Sequence, residues 1–367
     1  MHSPSAQQPP IGVAIAGLGF GEAVHLPALQ ANPGFKPVAL WHPRQERLDQ
    51  ACKSHGLKGF TEWDALLSDP AVDAVIITTP PEPRHDLGRR ALEAGKHLLL
   101  EKPVALHADQ VADLQRLAVQ KRLSVAVDFE YRAVPLFMQA ARLLQAGAIG
   151  TPWLVKYDWL MSSRANAQRP WSWYSDAAQG GGVIGALGTH AFDTLHWLIG
   201  PSTDLRALHH TAIGQRPTPS GEMRSVDAED VALIQARLQG PDGQTIVPAQ
   251  ISLASVARNG RGCWIEVYGS EGSLTLGSEN QKDYVHGFSL CLSKDGESPK
   301  VIQPDPDLNF PTTWSDGRIA PVARLQGWWG DSIRTGRPMV PGLSEGLLSQ
   351  TACDQAQASH RAWGHSE

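Results

Sequence analysis

The chain has 367 residues, 42% of them hydrophobic and 19% charged, with a formal net charge of -5. That length suggests about two domains of roughly 150 residues each. So mild a charge gives no sign of the basic patch that nucleic acid or an anionic membrane surface would need, and neither partner is expected. Cys52, Cys263, Cys291 and Cys353 lie far apart and form no CxxC pair. They suggest neither a disulfide framework nor a zinc site, no metal is expected, and they fit reduced thiols in a cytoplasm. No apolar run approaches the roughly 18 residues needed to span a bilayer. Residues 1–10 are polar and proline-rich, and the expectation is a loose tail rather than a signal peptide.

From residue 11 strand and helix signals alternate. Ile11 to Ala16 reads as a strand ending in glycines, His25 to Ala31 as a helix, Pro37 to Trp41 as a strand and Gln45 to His55 as a helix. Ala74 to Ile77 is a strand ending at Thr78-Thr79-Pro80-Pro81. Arg84 to Ala94 is a helix stopped by Gly95, His97 to Leu100 a strand, Asp109 to Gln120 a helix and Ser124 to Val127 a strand. Such alternation implies a parallel sheet covered on both faces. After a helix over Val134 to Gln145 the pattern changes. Strand signals dominate at Trp153 to Leu160, Asp230 to Leu238, Ile246 to Val256 and Cys263 to Tyr268, two of them partly alternating as half-buried antiparallel strands do. One helix, about Val183 to Leu198, interrupts them. Asp295 to Arg318 reads as a long loop, and Ala320 to Trp363 as mostly helical. The expected class is an α/β domain followed by an α+β domain, with the boundary near Asp128 to Val134.

Gly17-Leu18-Gly19-Phe20-Gly21 sits at the first strand–helix turn. Glycines there let the backbone approach a pyrophosphate at a helix N-terminus. The strict dinucleotide pattern wants glycine or alanine where this chain has Glu22, so the close helix–strand contact falls to Gly21 or Ala23. The second strand ends at Trp41-His42-Pro43-Arg44, with no acid to accept from a ribose 2′-hydroxyl. The Arg44 guanidinium suits a 2′-phosphate, so NADP is favoured over NAD, unless Arg44 is a solvated loop residue and selectivity is lax. Glu101-Lys102-Pro103 follows the buried strand Leu98 to Leu100. Ligands bind beyond the carboxyl ends of such strands, so the Lys102 ammonium is expected to face one.

Gly180-Gly181-Gly182 leads into the helix carrying His190 and Asp193, which share a face at i and i+3. His190 is expected to titrate near neutral pH, which suits proton exchange with an alcohol. Asp193 orients or buttresses, and His196, off that face, is structural. Of Trp153, Trp159, Trp171, Trp173 and Trp197, most are expected in packing; Trp173, in a loop before the glycine run, is the candidate to stack on a sugar. Arg132 and Arg164 are further candidate substrate contacts.

Together these stretches resemble the Gfo/Idh/MocA oxidoreductase family. The matching segments are Val13 to Gly21 with His25-Leu-Pro-Ala-Leu29, Val72 to Pro80 with His85, Ala94 to Pro103, Gly180 to Gly182 with Gly188-Thr-His190 and Asp193, and Ile265 to Gly272. The resemblance implies a Rossmann domain over residues 11–130 and a substrate and oligomerisation domain over 131–340, built on a large, mostly antiparallel open sheet. A C-terminal helix over 341–367 would pack back on the first domain. It implies hydride transfer between nicotinamide C4 and a secondary alcohol or carbonyl of a sugar, polyol or related small molecule. Lys102 would hydrogen-bond the reacting oxygen, His190 would be the catalytic histidine, and Glu101 would lie near the nicotinamide ribose, with the peptide bond before Pro103 often cis. Thr79, Pro80 and His85 join the cofactor contacts, and the partner is a second copy in a homodimer or homotetramer.

One departure stands out. Many members carry an aspartate four residues before the histidine, where this chain has Ala186. Three other uses of the same parts stay open: a nucleotide-sensing regulator without chemistry, a redox-assisted lyase or hydrolase that keeps its cofactor, and a reductase for a non-sugar substrate such as a linear tetrapyrrole.

Overall fold

A computed structural model describes residues 9–280 and 283–363. Most of the expected tail, residues 1–8, and residues 364–367 of the expected C-terminal segment lie outside the described residues. Six strands form the first sheet: β1 (Ile11–Ala16), β2 (Phe35–Trp41), β3 (Lys58–Phe60), β4 (Ala74–Ile77), β5 (His97–Leu100) and β6 (Val125–Val127). All are parallel, in the order β3-β2-β1-β4-β5-β6. The central strands are continuous apolar runs because helices bury both faces; β1 and β4 are buried at every residue. The order reverses between β1 and β4, and a crevice opens there beyond the strand ends. Gly17, Thr78 and Glu101 are the first residues past β1, β4 and β5, so the sequence places them on that crevice. β3 and the short helix Trp63–Leu67 were too brief to show a period in the sequence.

The second sheet holds β7 (Pro152–Leu160), β8 (Ser202–His210), β11 (Val231–Gln239), β12 (Ile246–Ala254), β13 (Gly262–Gly269), β14 (Gly272–Ser278), β15 (Ser289–Lys294) and β16 (Lys300–Ile302). A hairpin of β9 (Gln215–Pro217) and β10 (Met223–Ser225) stands apart. The order β16-β15-β14-β13-β7-β12-β11-β8 is antiparallel throughout except for the β7–β12 pair. Ala232, Ile234, Ala236 and Leu238 of β11 point inward, where Phe137, Phe192 and Leu195 of two helices cover them. The sequence missed β8, β14 and β15, and it read as loop the segment that contains β16. In β14 the interior Gly277 looks like a breaker, but the indole of Trp264 on β13 covers it; a Cβ there would come within 2.3 Å of the ring.

Two C-terminal helices tie the halves together. Ile319–Thr335 presents Val322, Leu325, Gln326 and Trp329 on one helical face. Leu325 and Trp329 are buried among Ile11, Val13 and Phe35, so this helix packs on the first sheet rather than in the domain assigned to 131–340. The final helix, Leu343–Trp363, touches both domains: the Asp354 carboxylate accepts from Ala108 N at 2.8 Å, and Ser349 Oγ donates to Thr189 O at 2.7 Å. Among the described residues no helix is long and apolar enough to cross a membrane.

Candidate active site

A cleft of about 810 Å³ runs from the glycine turn to the helix carrying His190, within the ~300–1,000 Å³ usual for ligand sites. Each glycine of the turn has its own reason. Gly17 has φ +106°, a backbone that L side chains rarely adopt. A Cβ on Gly19 would meet nothing within 4 Å, so no packing inside the chain requires glycine there, and the open space in front of it is free for a ligand. A Cβ on Gly21 would come within 2.8 Å of Ile15 Cγ2 and 2.7 Å of Thr78 Oγ1, so Gly21 is the close helix–strand contact, and Glu22 is tolerated. Gly17, Leu18, Gly19 and Phe20 line the cleft, as do Arg44, Thr79 and Pro80. A cradle of this shape fits the pyrophosphate and ribose of a dinucleotide.

The floor of the cleft is built by Arg84. Its buried guanidinium donates to the carbonyls of Thr79, Glu101 and Pro103, pinning the ends of β4 and β5 together. Lys102-Pro103 is a cis peptide, and Lys102 Nζ donates to Ala186 O at 3.2 Å, joining the two domains across the cleft. Behind Glu101 lies a buried cluster. His25 Nε2 is 3.1 Å from Glu101 Oε1 and 3.4 Å from Asp128 Oδ2. Burial opposes charge on His25, but Asp128 and Glu101 outweigh it and push it up to about 9. Burial also opposes charge on Glu101, yet His25 draws it down to about 2. Burial and then the Glu101 charge push Asp128 up to about 7. The cluster is thus held together as a His25–Glu101 ion pair.

His190 lines the cleft and is 3% exposed. A π-type turn over Ile184–Gly188 opens into its helix, Thr189–Leu198. Burial and then the Lys102 ammonium hold His190 well below the usual histidine range, so it is neutral near pH 7. Tyr131 meets its ring edge-on at 4.8 Å, and Trp159 lies at 6.1 Å. Trp173 and Arg164 also line the cleft, with the Arg164 guanidinium 3.3 Å above the Tyr174 ring.

Three expected contacts lie elsewhere. Arg132 and Asp193 form a buried bidentate pair, at 2.8 and 2.7 Å, and do not line the cleft. The helical face that His190 and Asp193 share points in one general direction, but Arg132 takes the carboxylate before substrate could. His85 is half-buried on its helix and pairs with Asp113 at 3.0 Å. His196 pairs with Ser202 Oγ at 3.0 Å, and Trp153 is 62% exposed at a strand end. The sequence reading missed Arg84, the His25 cluster and Glu130. Glu130 lines the cleft with its Oε2 at 3.6 Å from His190 Nε2. Its position just past β6, at the carboxyl edge of the sheet, was the signal that could have found it. A second hollow of about 600 Å³ lies behind Pro103 and holds neither Lys102 nor His190.

Residues 11–129 match the family described as "Oxidoreductase family, NAD-binding Rossmann fold", and residues 137–275 match "GFO/IDH/MocA C-terminal domain". An uncharacterized oxidoreductase of Synechocystis sp. is 41% identical, covering 97% of this chain and 95% of its own length. Levoglucosan dehydrogenase of Pseudarthrobacter phenanthrenivorans is 27% identical over 76% of each chain. Scyllo-inositol 2-dehydrogenase (NAD(+)) of Bacillus subtilis is 26% identical over 81% of each. Among solved structures, a levoglucosan dehydrogenase in complex with NADH superposes with a TM-score of 0.84 at 22% identity, covering 96% of this chain and 97% of that one. An oxidoreductase domain protein from Kribbella flavida superposes at 0.86 and 23% identity, covering 97% and 98%. Both family matches run through the residues that build the cleft, and with them the chain belongs to the Gfo/Idh/MocA family of NAD-dependent oxidoreductases.

Proposed function

We propose that this cleft interconverts a secondary alcohol and a carbonyl on a sugar, polyol or related small molecule. The observation that carries the reading is that Lys102 and His190, from different domains, line the same cleft as the glycine turn. When bound, the nicotinamide supplies the hydride acceptor or donor. Gly17 to Phe20 would hold the pyrophosphate, with Thr79, Pro80 and Glu101 toward the nicotinamide half. Neutral His190 accepts the hydroxyl proton in oxidation and returns it in reduction. Lys102 donates to the substrate oxygen, where negative charge builds as the O–H bond breaks. The names of the levoglucosan and scyllo-inositol relatives support a substrate dense in hydroxyls. Trp173, which lines the cleft, offers an aromatic ring to the C–H side of such a substrate. The test is a 340 nm assay across sugars and polyols, with the Lys102 and His190 variants described in the Discussion.

NADP is favoured over NAD. Arg44 and Arg47 line the cleft at the end of β2, form no ion pair among the described residues, and have no acid lining the cleft beside them. Both are close enough to His42 to disfavour its charge, after burial. Two free guanidinium groups support a 2′-phosphate site. Arg44→Ala is expected to weaken NADPH binding by roughly 10- to 100-fold, the equivalent of one charge-assisted hydrogen bond, while leaving NADH binding unchanged in a fluorescence titration. Equal affinity of the wild type for both cofactors would remove the argument.

The outer face of the second sheet supports contact with a second copy. Leu154, Leu208, Leu233 and Tyr268 stand exposed on it, and none of the described elements covers them. Light scattering is expected to give a multiple of the 39.7 kDa chain mass, with Leu233→Arg shifted toward the monomer; a monomeric wild type would contradict this.

A further inference from the structure

We propose that His190 works as one half of a dyad with Glu130, in which the proton that His190 Nε2 takes from a substrate hydroxyl comes to rest on Glu130 Oε2. The inference rests on the alcohol–carbonyl reading above. In oxidation the substrate O–H bond breaks and an N–H bond forms on His190. That bond then breaks as an O–H bond forms on the Glu130 carboxylate. The hydride that balances the step goes to the bound cofactor, and reduction runs the same transfers backward.

Glu130 is placed for this by its surroundings. It sits in the short turn Glu130–Ala133 past β6, is 6% exposed, and lines the same cleft as His190. Its Oε2 is fully enclosed, accepts no hydrogen bond, and lies 3.6 Å from His190 Nε2. A buried carboxylate oxygen left without a donor is costly unless it serves chemistry. The acid beside the catalytic histidine therefore comes from a different element than Ala186, which offers Lys102 only its carbonyl.

The charges around the pair set the direction of the proton. His190 faces Lys102 from the segment after β5, and burial together with that ammonium disfavours an imidazolium. Glu130 faces Asp128 from its own strand end, and Lys102 and Glu101 across the cleft floor; His25 is held behind them by Glu101 and Asp128. Burial and then Asp128 and Glu101 favour the neutral carboxyl, against the opposing pull of Lys102. A base that resists keeping a proton stands beside a carboxylate that takes one up readily. Two groups whose environments push their proton affinities apart divide acid and base roles in this way.

The test compares wild type, Glu130→Gln, Glu130→Asp and His190→Ala. Glutamine keeps the size and hydrogen-bonding capacity of Glu130 but cannot carry a proton. Glu130→Gln is expected to lower kcat by about 10²-fold, to leave KM and NADPH affinity near wild type, and to remove one titration step from the kcat–pH profile. Aspartate, which still carries a proton, should recover part of kcat, and it stands in if the glutamine variant does not fold. Without cofactor or substrate, the wild type should gain the infrared band of a neutral carboxyl as the pH falls through the acid limb of the kcat–pH profile, and Glu130→Gln should lack that band. Near wild-type turnover in Glu130→Gln, with His190→Ala inactive, would overturn the dyad and leave the reaction standing. Full turnover in His190→Ala as well would overturn the reaction itself.

Discussion

His190→Ala and Lys102→Met are each expected to lose turnover by orders of magnitude while NADPH binding persists. Removing a general acid–base costs about 10²–10⁴-fold. Removing one preorganised donor to a developing oxyanion costs about 2.7–4 kcal/mol, which is roughly 10²–10³-fold in rate. The two losses should not simply add. Lys102 lowers the proton affinity of His190, so a variant without the ammonium leaves a histidine that titrates closer to its ordinary value. The kcat–pH profile of Lys102→Met should therefore move its histidine step upward. Neither residue contributes to the glycine turn or to the Arg44 end of the cleft, so the dissociation constant of NADPH should be close to wild type in both. A parallel collapse of cofactor binding would point to a folding defect instead.

Asp193→Ala has its largest effect on folding. Arg132 donates to both oxygens of Asp193, and the two residues are 8% and 2% exposed. Truncating the acid strands a guanidinium in the protein interior, which costs about 3–5 kcal/mol. Urea unfolding monitored by tryptophan fluorescence should show an unfolding free energy reduced by that amount, with a correspondingly lower midpoint. The paired replacement Arg132→Met with Asp193→Leu removes both charges and is expected to recover most of the loss, because an ion pair exchanged for well-packed apolar groups is often neutral. A loss below about 1 kcal/mol for the single variant, typical of an exposed pair, would mean that Arg132 finds another partner. Both residues are buried and neither lines the cleft, so the pair sits as an interior clamp between Arg132 and the His190 helix.

Much of the first domain was legible because its strands are buried on both faces. β4 and β5 appear in the sequence as apolar runs bounded by turn residues, and they occupy the span that those runs suggest. The glycine turn and Lys102 were legible for the same reason: residues just past a parallel strand's carboxyl end must face the crevice. His190 was found from its glycine-led helix. The second sheet was less legible where glycine interrupts a strand, as at Gly277, since the covering Trp264 comes from a neighbour. Side-chain partners were the least legible of all. Periodicity placed Asp193 on the face of His190 but could not say that Arg132 reaches it first. Glu130, Asp128 and His25 meet their partners only through the register of β6 against β5 and the docking of the glycine turn, both set by long-range packing. His85 belongs to a stretch that resembles the family, yet its imidazole is taken up by Asp113 on the neighbouring helix.

The most direct test of the central claim follows absorbance at 340 nm for the wild type and Lys102→Met side by side, across sugars, polyols and their oxidised forms, with both proteins first shown to bind NADPH equally. The account predicts a cofactor-dependent change for the wild type with at least one such compound and none above background for Lys102→Met. Wild-type rates from Lys102→Met on that same compound would contradict it.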